Sequence, residues 1–183
     1  MSTTSTLFLT DIIDNQSKEG KSAEALVKES DWRFFQLGNY TSAAPLTITQ
    51  GATSKISFQA NNISFSDGSG LSLNYDFTNQ KFLPQTLRDV FLVEVRFKCK
   101  ASAQNSHADI LLECPSVAYN PIQAYSFSVV KAANTEQFVS VSVPIFIGQD
   151  LITNGLEVKI ASNSGTFSVY DVSFMLIRVA SGA

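Results

Sequence analysis

The stretch Tyr170-Asp-Val-Ser-Phe-Met-Leu-Ile-Arg-Val179 decides the fold. Successive side chains of a β-strand point to opposite faces of its sheet. Drawn out as a strand, the segment sends Val172, Phe174 and Leu176 one way and Met175, Ile177 and Val179 the other. A strand with one wet face alternates apolar with polar residues. From Phe174 onward this one is apolar on both faces, so one face fills a core and the other has to be covered. A loop, the aromatic residues Trp32, Phe34 and Phe35, or a neighbouring subunit would each serve, and exposed apolar faces commonly mark interfaces.

Upstream the same period of two recurs. It runs through Leu46-Thr-Ile-Thr49, Ile56-Ser-Phe58, Ile63-Ser-Phe65 and Leu71-Ser-Leu-Asn-Tyr75. It continues in Phe91-Leu-Val-Glu-Val-Arg-Phe-Lys-Cys99, Ile110 to Cys114, Tyr125 to Val129, Phe138 to Val143 and Leu156 to Ile160. Asp67-Gly-Ser-Gly70 reads as a turn, because glycine tolerates positive φ, and Thr78 to Asp89, with Pro84, reads as irregular. Roughly ten short strands at regular spacing predict an all-β sandwich or barrel. Helices do not alternate with strands, which excludes a parallel α/β sheet.

Composition agrees. Of 183 residues 44% are hydrophobic and only 16% charged, against roughly 25% charged in an average domain. Fourteen Phe against two Met describe a core of rigid rings. A disordered chain lacks such apolar content, and a coiled coil needs far more Ala, Glu, Lys and Leu. Net charge is −3, with no block of like charge, so nucleic acid is not an expected partner. The longest apolar runs fall far short of the ~18 residues of a membrane span, so no membrane insertion is expected. The opening Met1-Ser-Thr-Thr-Ser-Thr-Leu-Phe-Leu-Thr-Asp11 lacks a basic n-region and a true apolar h-region. It does not read as a secretory signal, which places synthesis in a cytoplasm.

Two composition regimes meet near residue 43. Residues 1–43 carry four basic and six acidic groups and read as an N-terminal arm; residues 44–183 carry the strands. Within the arm, Ser17 to Ser30 alone has helix-friendly content, weakened by Gly20. A short helix and an arm that orders on assembly both fit that stretch. The arm's apolar residues Leu7, Phe8, Leu9, Ile12 and Ile13 are costly to leave in water and suit a groove on a partner, making them the expected docking elements. The Trp32, Phe34 and Phe35 cluster is expected to pack under the body.

Chemistry-bearing residues are sparse. Cys99 and Cys114 face each other if Phe91–Cys99 and Ala108–Cys114 form a hairpin, which would permit a cross-strand disulfide. The alternative is a pair of buried reduced thiols acting as small apolar groups, and it is favoured because cytosolic disulfides are rare. The single histidine, His107, has Asp109 two residues on, but no nucleophile elbow or oxyanion loop accompanies them, so a solvated loop residue is expected. Metal ligands at productive spacing and glycine-rich phosphate loops are missing, and no metal or cofactor is expected. Carboxylate pairs for glycoside cleavage are open from sequence alone, with surface solubility the expected role of these acids. In Tyr119-Asn-Pro-Ile-Gln123, Tyr119 and Asn120 are candidates for contact with a sugar, with Pro121 setting the turn as the plainer explanation.

Three segments together resemble a known group: Phe138-Val-Ser-Val-Ser-Val-Pro-Ile-Phe-Ile-Gly148, Ile152-Thr-Asn-Gly-Leu-Glu-Val-Lys-Ile160 and Gly165-Thr-Phe-Ser-Val-Tyr170 running on to Val179. Over about residues 85–180 the chain resembles the jelly-roll heads of tailed-bacteriophage fibre and decoration proteins. The resemblance implies a TNF-like jelly roll assembling as a homotrimer, with the last strand near the three-fold axis. Met175, Ile177 and Val179 are then the expected trimer contacts. It also implies that the N-terminal arm attaches to the particle, on the major capsid protein or another virion protein. No fibre shaft or collagen-like repeat precedes the head, which favours a non-enzymatic capsid decoration, cement or head-fibre protein of the virion. The alternative is a short tail-fibre tip that attaches to host surface glycans.

Overall fold

The computed structural model describes residues 32–37, 39–57, 63–66 and 73–180. The expected helix, the docking residues Leu7, Phe8, Leu9, Ile12 and Ile13, and the Asp67–Gly70 turn lie outside them. In chain order the strands are β1 (Trp32–Leu37), β2 (Leu46–Ile48), β3 (Thr53–Lys55), β4 (Ile63–Ser66), β5 (Leu73–Asp76) and β6 (Lys81–Pro84). There follow β7 (Val90–Ala101), β8 (Ser106–Glu113), β9 (Gln123–Val129) and β10 (Gln137–Phe146). The helix α1 (Gln149–Asn154) precedes β11 (Glu157–Ser162) and β12 (Phe167–Ala180).

Two antiparallel sheets form a sandwich. The first has the order β10-β7-β12-β1-β4, with β2 also paired to β12; the second runs β3-β11-β8-β9, and β5 pairs β6 apart from both. The alternation in sequence becomes alternation in burial: along β7, Phe91, Val93, Val95, Phe97, Cys99 and Ala101 are buried while the residues between them are half-exposed. Rings carry the contact between sheets. Phe97 of the first sheet meets Phe127 of the second at 5.5 Å, and Phe127 meets Phe167 at 5.8 Å. Both pairs meet edge-on, the geometry the ring quadrupole favours.

Three expectations change. Trp32–Leu37, inside the segment read as an arm, is a strand hydrogen-bonded between β12 and β4, so the sandwich begins before residue 44. Lys81–Pro84, read as irregular, is β6. The Cys99–Cys114 hairpin does not form, because the chain crosses from the first sheet to the second between β7 and β8. Cys99 sits opposite Gln137 and Val169 instead, and both cysteines are free and buried. Burial pushes the Cys99 thiol up to about 12.

β10 is the edge strand of the first sheet and runs through Pro144. Proline has no N–H to give a ladder and is confined to such edges.

Candidate functional site

The outward face of the first sheet is assembled by register. One row across the strands reads Trp32, Ile177, Leu92, Pro144; the next reads Phe34, Met175, Glu94, Ser142. Trp32, Phe34, Leu92, Met175 and Ile177 are half-buried and stand outside the buried core of the sandwich. Val172, Phe174 and Leu176 of the same strand are buried in the sandwich. Val179 lies at the irregular end of β12 and is 57% exposed. Arg178, between them, reaches the buried Asp89 at 3.5 Å.

The face is polar at its other end. The row beyond Met175 reads Gln36, Ser173, Arg96, Ser140. Glu94 holds Arg96 in a two-pronged pair at 2.8 Å and also accepts from Ser140. That pairing, chiefly the hydrogen bonds from Arg96, keeps the Glu94 carboxyl below the usual range against the effect of burial. Farther along, Tyr170 is buried and donates to Glu136, while Lys98 bridges Asp171 and Glu136 at 3.1 and 3.9 Å. The face is thus an apolar half joined to a fully paired ionic half.

Exposed large apolar side chains concentrate beside this face. Tyr125 and Val130 belong to or follow β9, and Phe138 and Phe146 lie on β10. β9 and β10 are the edge strands of their respective sheets.

A cleft of about 280 Å³ opens at the same edge, between the 115–122 loop, the end of β10 and the first turn of α1. Tyr119, Ile122, Gln123, Pro144, Phe146 and Asp150 line it. Tyr119 donates its hydroxyl to Asp150 at 2.5 Å. Asn120 does not join Tyr119 there as a free amide. It accepts from the Cys114 N–H at 2.9 Å and donates to the carbonyls of Cys114 and Val117. Its role is to fix the loop that presents Tyr119. Asp150 and Phe146 were not singled out from sequence; they reach the cleft only because β10 and α1 fold back beside the 115–122 loop.

The other candidate chemistry disperses. His107 Nδ1 meets Ser128 Oγ at 2.8 Å, and Asp109 accepts from Asn163, so the two residues do not pair. Glu113 and Glu157 stand opposite each other on β8 and β11, but Lys159 bridges them and Lys55 also holds Glu157. Carboxylates clamped by lysines on a sheet face are not a cleavage pair. Among the described residues no cluster of His, Cys, Asp and Glu is suited to a metal ion, and no helix is long and apolar enough to cross a membrane.

No family model and no curated protein matches this sequence. Solved structures do match in fold. The Eiger TNF from S. frugiperda superposes with a TM-score of 0.54 at 9% identity, over 84% of this chain and 95% of that one. PRD1 vertex protein P5 gives 0.50 at 9% identity, over 82% and 74%. The globular domain of zebrafish complement 1qA protein gives 0.50 at 8% identity, over 83% and 99%. The chain is therefore an all-β, TNF-like jelly roll.

Proposed function

We propose that this protein is a non-enzymatic structural component of a bacteriophage particle: a homotrimeric capsid decoration, cement or head-fibre protein that docks through its N-terminal arm. The observation that carries the reading is the apolar half-face formed by Trp32, Phe34, Leu92, Met175 and Ile177. A closed ring of identical subunits needs two different, complementary patches on each copy. The aromatic edge at Tyr125 and Phe138 supplies the second. Burying one such side chain fully is worth roughly 1.5–3 kcal/mol, repeated at every interface. The fold shared with a vertex protein and the resemblance over about residues 85–180 support the virion role. The likeness to a vertex protein favours the capsid over the tail.

Light scattering of the full chain tests the assembly, and a monomer of 19.9 kDa at micromolar concentration would overturn it. Deleting residues 2–29 tests the docking. A folded trimer that no longer binds particles lacking the protein is the expected result. Normal occupancy by the truncated protein would move the contact to the jelly roll.

A further inference from the structure

The cleft at the β9–β10 edge has the composition of a small-molecule site. Its volume of about 280 Å³ lies near the lower end of the roughly 300–1,000 Å³ that such sites span, which suits one six-membered ring and its substituents. Tyr119 and Phe146, 60% and 62% exposed, put two aromatic rings at its mouth. Half-buried Ile122 and buried Leu151 line the cleft with them, so the two rings stand in an apolar setting.

Polar capacity is left over in the same place. Asp150 accepts the Tyr119 hydroxyl on Oδ2, and its Oδ1 takes no hydrogen bond from the described residues. The Gln123 side chain is exposed, and its amide has no partner among them either. Asn120, by contrast, spends both ends of its amide on the loop backbone. That holds Tyr119 in place before any ligand arrives, so little ordering has to be paid for on binding.

We propose that this cleft binds a neutral pyranose unit of a glycan, with Tyr119 and Phe146 against the ring's C–H face, Asp150 Oδ1 accepting from its hydroxyls and Gln123 both donating and accepting. The ligand must combine an apolar face with several hydroxyl donors, which a pyranose does. An acidic sugar would bring its charge to Asp150. A quaternary ammonium would suit the rings and the carboxylate but would leave the Gln123 amide without a use. The proposal does not rest on the trimer.

The test is saturation-transfer NMR on the full chain. The probes are methyl glycosides of glucose, galactose, mannose and N-acetylglucosamine, with N-acetylneuraminic acid and choline alongside. At least one neutral glycoside is expected to bind, with a Kd of roughly 1 mM for a single ring. Tyr119→Ala and Asp150→Asn should each weaken it about tenfold or more, while Tyr119→Phe, which keeps the ring, costs less. His107→Ala, on the outer face of the second sheet, should leave it unchanged. Saturation of none of the neutral glycosides, or of N-acetylneuraminic acid or choline alone, overturns the proposal. So does equal weakening by His107→Ala. Light scattering on each variant separates loss of the cleft from loss of assembly.

Discussion

Ile177→Asp should take the proposed trimer apart and leave the jelly roll folded. Ile177 sits between Trp32 of β1 and Leu92 of β7, which already shield part of it within the protomer. The part still exposed, closed over by a neighbour, is worth about 1 kcal/mol. Placing an unpaired carboxylate there adds a desolvation penalty of about 3 kcal/mol at each interface. A three-fold ring repeats the loss at every interface, for a total of about 12 kcal/mol. Each 1.4 kcal/mol is a factor of ten, so association weakens by roughly nine orders of magnitude. The isolated protomer loses only about 1 kcal/mol, because the aspartate can stay hydrated there. That is small against a typical domain stability of roughly 5–15 kcal/mol. Light scattering should show monomer while far-ultraviolet circular dichroism retains its strand signal. A variant that stays trimeric would refute the interface. One that unfolds would show that Ile177 belongs to the protomer's own core.

Gly155 adopts φ 81° and ψ 179°, a region open in practice to glycine alone, and a Cβ there would lie 2.8 Å from the Phe82 carbonyl oxygen. Gly155→Ala should therefore cost about 3 kcal/mol in a urea titration. Burial alone would raise the Glu157 carboxyl, but hydrogen bonds from Lys55 and Lys159 bring it below its ordinary value of 4.5. A lowered folded value gives stability that is present above that ordinary value and lost as pH falls through the lower one, so the melting temperature should drop on acidification below about pH 4.5. Glu157→Gln should flatten part of that drop. Unfolded protein should take two alkyl labels without prior reduction, whereas Cys99 in the native state, buried and with its thiol pushed up to about 12, should resist labelling at pH 8. Zero labels on the unfolded chain would mean a disulfide.

The strands that alternate most cleanly, β7 and β10, were legible because each has one face in a single continuous core. The doubly apolar character of β12 was legible because its alternation with polar residues fails: Phe174 and Leu176 go into the sandwich, while Met175 and Ile177 go to the outer face. β1 was hidden because Trp32-Arg-Phe-Phe places large side chains on both faces and so shows no period. It is a strand through its partners β12 and β4, not through local preference. The false Cys99–Cys114 hairpin has a related cause. The short connection from Ala101 to Ser106 fits a turn within one sheet as well as a corner between two, and only the competition for partners chooses the corner. Tyr119 could be read as a presented loop residue, but Asp150 lies 31 positions away in sequence and could not be joined to it.

Pro144 has a consequence for synthesis at high concentration. A bare sheet edge is a template on which further chains can stack indefinitely, and β10, with its run of small and β-branched residues, would otherwise be a flat template of that kind. Pro144, near the C-terminal end of β10, removes one donor from the row that an incoming strand would need to copy. An incoming strand therefore meets an interrupted ladder on β10, which lowers the risk that this edge seeds fibrils.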